Sequence, residues 1–213
     1  MRRLQRQISP QKIEMKKNVI LASASQSRGA VLRDAGVVFL RDPAAIDEES
    51  VKESFRDRKK SAAHVAETLA ELKAQQVSQR HPGALIIGAD QMLQCDGIWF
   101  DKPPDIDHAR GHLIALRGKT HELLSAVCVV RDGQCLWRHL ESARLTMRSF
   151  SDSFLEEYLA AAGDVVCASV GAYQLENRGA QLFRRIEGDY FTILGLPLLP
   201  LLSFLVNQGV VTA

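Results

Sequence analysis

Apolar and polar positions recur along this chain in two periods, one near a helical turn and one of short continuous runs, and together they divide it into alternating elements. Residues 18–23 (NVILAS) form a short apolar run that leads into Ser23, Ser25 and Ser27, residue types that favour helix N-caps, before an amphipathic segment over 28–35. The pattern predicts a strand, a turn and a helix. After Gly36, residues 37–40 predict a second strand, and residues 44–60, acidic and then basic, predict a long surface loop that carries Asp47, Glu48 and Glu49. Residues 61–80 predict a helix, with Val65, Leu69, Leu72 and Val77 close to one turn apart and Pro82-Gly83 as its stop.

The apolar run of residues 84–89 has the length of a strand and leads into Asp90, which is therefore expected at a strand end. Residues 92–100 fold back through Asp96-Gly97, a hairpin signal, and Asp132-Gly133 joins two longer strands over 121–130 and 135–147 in the same way. Helices are predicted over 105–117, over 151–162 and from about 197 onward, with a glycine-containing stretch over 171–179 and a short strand near 182–186 between the last two. Alternating strands and helices point to an α/β fold, and the hairpins require antiparallel pairs, so the expected sheet is mixed.

At 213 residues, with 46% hydrophobic residues, the chain fits one domain over 18–213 preceded by a basic extension over 1–17 that is expected to be disordered. A net charge of +2 provides no whole-molecule field for long nucleic acid or an anionic membrane, so an anionic ligand has to be bound locally. The basic residues cluster at the N-terminus and over 56–60, and with aromatics at 6% there is no stacking surface for single strands. Cys95, Cys128, Cys135 and Cys167 form no CxxC pair and read as reduced thiols, which places the expected location in the cytoplasm. The apolar stretch over 193–206 is broken by Gly195, Pro197 and Pro200 and is shorter than a membrane span.

Ser23, Ser25 and Arg28 stand where a strand turns into a helix, a place where free backbone N–H groups favour phosphate and an arginine adds bidentate binding. The same serines are ordinary caps, and the segment alone does not choose. Asp90 could manage a water or a metal ion at the rim of a buried strand, or be a satisfied structural carboxylate. Asp47 and Glu48 offer hard oxygen ligands for Mg²⁺. Lys73 sits in an apolar-periodic helix and Lys102 in Asp101-Lys102-Pro103. The six histidines have no metal-binding spacing and carry no expected chemistry. No GxSxG, Walker A or GxGxxG motif occurs.

In chain order, LASASQSR, IDEE, LAELKAQQV, IIGADQ, DKP, LRGKTHE and VGAYQLENRGAQLFRRIEGDYFTILGLPL resemble the Maf family of nucleotide pyrophosphatases, a likeness spanning roughly residues 18–205. The resemblance implies a two-lobed Maf/ITPase-like fold with a cleft between lobes, a homodimer, and Mg²⁺- or Mn²⁺-dependent hydrolysis of a nucleoside triphosphate to the monophosphate and pyrophosphate. It implies that Ser23 and Arg28 hold phosphate, that Glu48 helps bind metal, that Lys73 and Lys102 neutralise the triphosphate, and that Asp90 accepts a proton from the attacking water. The family is also associated with inhibition of septum formation, so a nucleotide-binding regulator of cell division is the competing reading.

Departures from the family pattern bear on the substrate, the first two on phosphate affinity, which they lead one to expect weaker than typical, and the others on the base. Ser25-Gln26-Ser27-Arg28 stands where many relatives have Ser-Pro-Arg-Arg, and Asp101 where many have Gly. The branch acting on dTTP and UTP usually has Thr and Gln where this chain has Gln91 and Glu176, a combination that resembles the branch acting on 7-methyl-GTP. A carboxylate at 176 could accept hydrogen bonds from guanine N1–H and its amino group and would repel thymine O4. Ser27 stands where that branch commonly carries Trp, which removes an aromatic platform for the base.

Overall fold

The computed structural model describes residues 18–212, so the basic extension over 1–17 lies outside the described residues. β1 (Val19–Leu21) is buried throughout, as a strand covered on both faces must be. Ser25 then caps α1 (Gln26–Asp34), its side chain accepting from the Arg28 N–H. β2 (Leu40–Arg41) is shorter and later than the pattern over 37–40 suggests, because only these two residues pair with β1.

Two expectations need correction. Residues 44–60 are not one loop: they contain α2 (Glu48–Asp57), which buries none of its residues fully. Its apolar contacts are limited to Val51 and Phe55 against the neighbouring core, so no apolar stripe announces it. The terminal signals were present, with Asp47 as cap, Glu48 and Glu49 in the first turn and Arg56 in the last. Likewise, Asp90 is not at a strand end. β3 (Leu85–Cys95) runs straight through it, with Asp90 opposite Ala126 on the neighbouring strand, where Lys73 from another element pairs with one oxygen of the buried carboxyl.

Between these lies α3 (Ala62–Ser78), capped by Ser61. After β3 come β4 (Ile98–Phe100), α4 (Ile106–Leu116), β5 (Thr120–Arg131), β6 (Gln134–Met147) and α5 (Asp152–Ala162), close to the expected bounds. Asp96 and Gly97 both have positive φ, as a two-residue hairpin turn requires. A run of 3₁₀ turns over 163–182 follows, then β7 (Phe183–Glu187), a short α6 (Tyr190–Ile193) that the sequence pattern missed, and α7 (Leu198–Asn207).

The sheet order is β2-β1-β3-β5-β6-β7, with β4 on the far half of β3. β1 pairs in parallel with β2 and β3, and the remaining pairs are antiparallel, so the sheet is mixed as expected. At one end of the long strands, α3 covers one face, with Leu69, Ala70 and Ala74 in a core shared with Ile86 and Met92. α1 and α7 cover the other, with Leu32, Leu201 and Leu205 beside Leu85 and Ile87. At the far end a separate core joins α4, α5 and the 3₁₀ turns to Leu93, Leu123 and Leu145. β3 and β5 cross from the first lobe into the second, and Asp90 lies near the middle of that crossing. No helix among the described residues is long and apolar enough to span a membrane.

Gly88 sets how closely α3 approaches β3. A Cβ there would stand 2.1 Å from the Ala70 carbonyl oxygen and 2.8 Å from the Ala74 nitrogen, so helix and strand meet backbone to backbone. Because side chains two residues apart share a face, the same approach brings Lys73 against Asp90. Gly88→Ala is expected to lower unfolding stability by at least ~2 kcal/mol in urea titrations, since the obstacle is backbone and cannot rotate away. An unchanged midpoint would show that the close approach is not required.

Candidate active site

A cleft of about 430 Å³ opens where the two lobes meet. The first lobe lines it with Ser23 from the β1–α1 turn, Arg28 from the first turn of α1, Glu48 and Lys52 from α2, Lys73 from α3, and Asp90. The second contributes Gln174 and Glu176 from the glycine-containing turns, with Lys102 following β4.

At its floor Lys73 lies between two carboxylates, with Nζ 2.6 Å from Asp90 Oδ1 and 2.8 Å from Glu48 Oε1. Lys73 and Asp90 are 7% and 4% exposed, so this charged cluster is stabilised by mutual pairing rather than by water. Burial raises the Asp90 carboxyl above its ordinary value, against the pull of Lys73 and Arg28. For Glu48 burial also pushes upward, but Lys73, Lys52 and Arg28 together outweigh it and the carboxyl lies below its usual range. Asp90 Oδ2 is buried and has no hydrogen-bond partner among the described residues, an unsatisfied carboxyl oxygen of the kind that marks a functional position.

The β1–α1 turn is built more tightly than a simple phosphate cradle. Arg28 is buried, donating through Nε to the Gly195 carbonyl at 2.8 Å and through Nη1 to the Ala89 carbonyl at 3.0 Å and Ser23 Oγ at 3.2 Å. Burial lowers its guanidinium below the ordinary arginine value. Only Nη2 has no protein partner among the described residues. Ser25 is spent on the cap, accepting from the Arg28 N–H at 3.3 Å. Arg41 braces the turn from outside, Nη2 donating to the Ser25 carbonyl at 3.0 Å and the Ser23 carbonyl at 3.3 Å.

Lys102 is exposed at the rim. Desolvation of its end and the nearby Arg28 charge hold its ammonium below the usual lysine range. Its neighbour Asp101 reaches back to α2, pairing through Oδ1 with Lys52 and through Oδ2 with Arg56 Nη2 at 3.0 Å. Gln91 lines the cleft, yet its amide nitrogen is engaged with Ser125 Oγ at 2.9 Å and with the Thr192 and Ile193 carbonyls at 3.1 Å, tying α6 to the sheet. Glu176 is exposed, accepting from Ser27 Oγ at 3.5 Å. Behind it Tyr173 is buried, its hydroxyl 2.7 Å from His121 Nε2, and burial lowers His121 to about 4, so the ring is neutral.

The residues singled out in the sequence, Ser23, Ser27, Arg28, Glu48, Lys73, Asp90, Gln91, Lys102 and Glu176, all line this one cleft. Asp47 does not join them: its side chain caps α2 by accepting from the Ser50 N–H at 3.1 Å. Sequence reasoning missed Lys52, Asp101 and Arg41. Lys52 stands four residues after Glu48, the spacing that places both on one side of a helix, and it would have been found had α2 been predicted. The pairing of Asp101 with α2 has no local signal. No group of three His, Cys, Asp or Glu side chains among the described residues converges as a ready-made metal cage.

The described Maf-like protein family model matches residues 18–208. A nucleoside triphosphate pyrophosphatase of Paramagnetospirillum magneticum is 60% identical over 190 residues, covering 89% of this chain and 98% of that protein. Another of the same name, from Granulibacter bethesdensis, is 50% identical over 194 residues, covering 91% of this chain and 98% of its own. A 7-methyl-GTP pyrophosphatase of Mesorhizobium japonicum is 49% identical over 197 residues, with 92% of this chain and 99% of that protein covered.

Lys73→Met would leave Asp90 and Glu48 facing one another without their cation. Breaking a buried pair costs about 3–5 kcal/mol, and part-exposed Glu48 places the expectation at the low end, near 3 kcal/mol at pH 7. Asp90 has a raised folded-state pKa, so its ionisation disfavours the native state, and losing Lys73 enlarges that penalty. Glu48 has a lowered one and would forfeit stability that is present above its unfolded pKa. Both effects vanish when the carboxylates are protonated, so the deficit should shrink as pH falls toward the acid range. Urea unfolding of both proteins across pH measures it, and a pH-independent deficit would contradict this account.

Proposed function

The chain belongs to the Maf-like family and is a nucleoside triphosphate pyrophosphatase, and on that premise we propose that its cleft seats the triphosphate over Asp90 and cuts between the α and β phosphates. The observation that carries this reading is the buried Asp90 carboxylate, paired with Lys73 through one oxygen and unpartnered at the other. Asp90 orients a water and takes its proton as the water oxygen attacks the α phosphorus. The bond from that phosphorus to the bridging oxygen breaks, and the electron pair leaves with pyrophosphate. A carboxyl whose pKa is raised by burial is a stronger base than a surface aspartate. Lys73 favours its ionised form against that burial.

Lys102 and the unpartnered Nη2 of Arg28 offset charge on the phosphate oxygens, and Ser23 holds Arg28 in register. A Mg²⁺ or Mn²⁺ ion fits this donor set. Glu48 is a hard, part-exposed carboxylate sharing an ammonium with Asp90, whose Oδ2 lacks a partner, and such ions favour a few carboxylates together with substrate phosphates. When bound, it supplies positive charge to the phosphates and the leaving pyrophosphate.

The base lies toward Glu176 and Ser27, across the cleft from the floor. Glu176 is a carboxylate with one oxygen beyond its contact to Ser27, able to accept from N1–H and the amino group of guanine. A guanine-type substrate follows, with 7-methyl-GTP, named for the Mesorhizobium relative, as the candidate whose positive charge suits a carboxylate best. Gln91 acts from behind, through the α6 carbonyls it holds.

Purified protein and Asp90→Asn would be given 7-methyl-GTP, GTP, dTTP and UTP with Mg²⁺ or Mn²⁺, with pyrophosphate and orthophosphate measured separately. Wild type should release pyrophosphate, and the variant should lose at least about 100-fold in rate. Because the proton acceptor must be ionised and its pKa is raised, the acid limb of kcat/KM should lie above the ordinary aspartate value of about 3.9. Orthophosphate as the product, or an Asp90→Asn variant at full rate, would overturn the mechanism. Glu176→Gln should cost roughly 10-fold in kcat/KM on guanine nucleotides, the worth of a hydrogen bond to a charged group, and a wild-type preference for dTTP or UTP would overturn the base assignment.

A further inference from the structure

The cations facing the triphosphate are unequally available. Lys73 is divided between Asp90 and Glu48, and Arg28 has committed Nε and Nη1 to Gly195, Ala89 and Ser23. The helix start beside it carries Ser27 rather than a second arginine. Lys102 is the one lysine of the cleft without a hydrogen bond or ion pair among the described residues. A polyanion of three phosphates therefore meets Lys102 and one free arginine nitrogen, and the further cation lining the cleft is Lys52.

Lys52 is held in a manner suited to release. It lines the same cleft, and its side chain is 12% exposed, so its stem is packed while its ammonium lies within electrostatic reach of Asp90 and Glu48. Its partner is Asp101, which stands immediately before Lys102. Asp101 has a second cation on its other oxygen, Arg56 at 3.0 Å. Arg56 is in turn fixed by Glu49 at 3.0 Å and lies over the Trp99 ring at 5.4 Å. If Lys52 leaves Asp101 for a phosphate, Asp101 stays paired, and the usual cost of stranding a desolvated carboxylate does not arise.

We propose that Lys52 is a phosphate-binding residue of this cleft, held in reserve by Asp101 and transferred to the β and γ phosphates of the substrate, and to the pyrophosphate product, when they bind. The inference rests on the proposed triphosphate site. It makes α2 the carrier of both Glu48 and a phosphate ligand, one helical turn apart. It also gives the Asp101-Lys102 step a role: Asp101 restrains one lysine while its neighbour stays free, so the empty cleft is not left with excess uncompensated positive charge.

A plain structural reading, in which the Lys52–Asp101 pair only pins α2, predicts that removing either partner weakens the site. Transfer predicts opposite signs. Lys52→Gln should raise KM and the dissociation constant of inorganic pyrophosphate about 10-fold or more, with kcat within about 3-fold and the ranking of bases unchanged. Lys52→Arg should recover most of that loss. Asp101→Asn, which frees Lys52 while Arg56 stays on Trp99 and Glu49, should bind pyrophosphate several-fold more tightly.

Pyrophosphate affinity would be measured by calorimetry with Mg²⁺ present, and melting temperatures would confirm that each variant is folded. Equal weakening by Lys52→Gln and Asp101→Asn would overturn the proposal in favour of pinning, and unchanged pyrophosphate affinity in Lys52→Gln would overturn it outright. Wild type that binds pyrophosphate with these responses but hydrolyses no nucleotide would refute the enzymatic reading while leaving Lys52 as an anion ligand. Wild type that turns over nucleotides with Lys52→Gln indistinguishable from it would do the reverse.

Discussion

Everything in the cleft depends on one ammonium group placed between two carboxylates below the protein surface. Lys73 needs Asp90 and Glu48, because a lone buried ammonium is strongly disfavoured, and the buried Asp90 carboxylate needs Lys73 in turn, part-exposed Glu48 less so. Three elements that are separate in sequence, α2, α3 and β3, are thereby tied at a single point. Geometry makes the point possible. Gly88 lets α3 lie against β3 at backbone distance, and Lys73 and Asp90 occupy facing positions one step along from that contact.

The same arrangement explains how stability and reactivity are combined. Burial favours a protonated Asp90, Lys73 and Arg28 favour an ionised one, and the balance holds the carboxyl above its ordinary value. A surface aspartate would be a weak base, and a buried one without a cation would stay protonated and inert. The polar floor is surrounded by apolar packing on both faces of the sheet, which keeps the cluster rigid. At the rim, α2 buries none of its residues fully and Glu176 is exposed, although the turns that carry it are anchored by buried Ala172 and Tyr173. On the proposed function, the chemistry would sit on the rigid strand and recognition at the more exposed rim, a common division in enzymes.

Two lobes sharing long strands give the site its shape. β3 and β5 belong to both cores, so a cleft between lobes forms where the two hydrophobic clusters leave a gap, and a mid-strand polar residue can occupy it. Asp90 and Gln91 use opposite sides of that crossing. Asp90 turns toward α3, while Gln91 holds α6 through the Thr192 and Ile193 carbonyls. The neighbouring Gly195 carbonyl in turn fixes Arg28, so the β1–α1 turn, the sheet and the C-terminal segment are joined by polar contacts in the cleft wall.

Local patterns in the sequence determined most of the elements: α3 from its apolar period, both hairpins from Asp-Gly pairs, the strand-turn-helix entry from Ser25, and a mixed sheet from their order. The ordered motifs also determined which residues gather in the cleft, since all nine of the singled-out side chains line it. What they could not determine was set by partners distant in the chain. α2 has too few apolar positions to be seen by period and is held in part by charge pairs with Asp101, about fifty residues away. β3 continues past Asp90, where Lys73, on another element, pairs with one oxygen of a carboxyl that in isolation reads as the end of an apolar run. Asp47 and Glu48 are adjacent and chemically alike, yet one caps a helix and the other faces Lys73. Residue type fixed the chemistry available, and only tertiary packing decided which charges are desolvated, which are paired and which remain free to bind, because those energies depend on neighbours that sequence spacing does not specify.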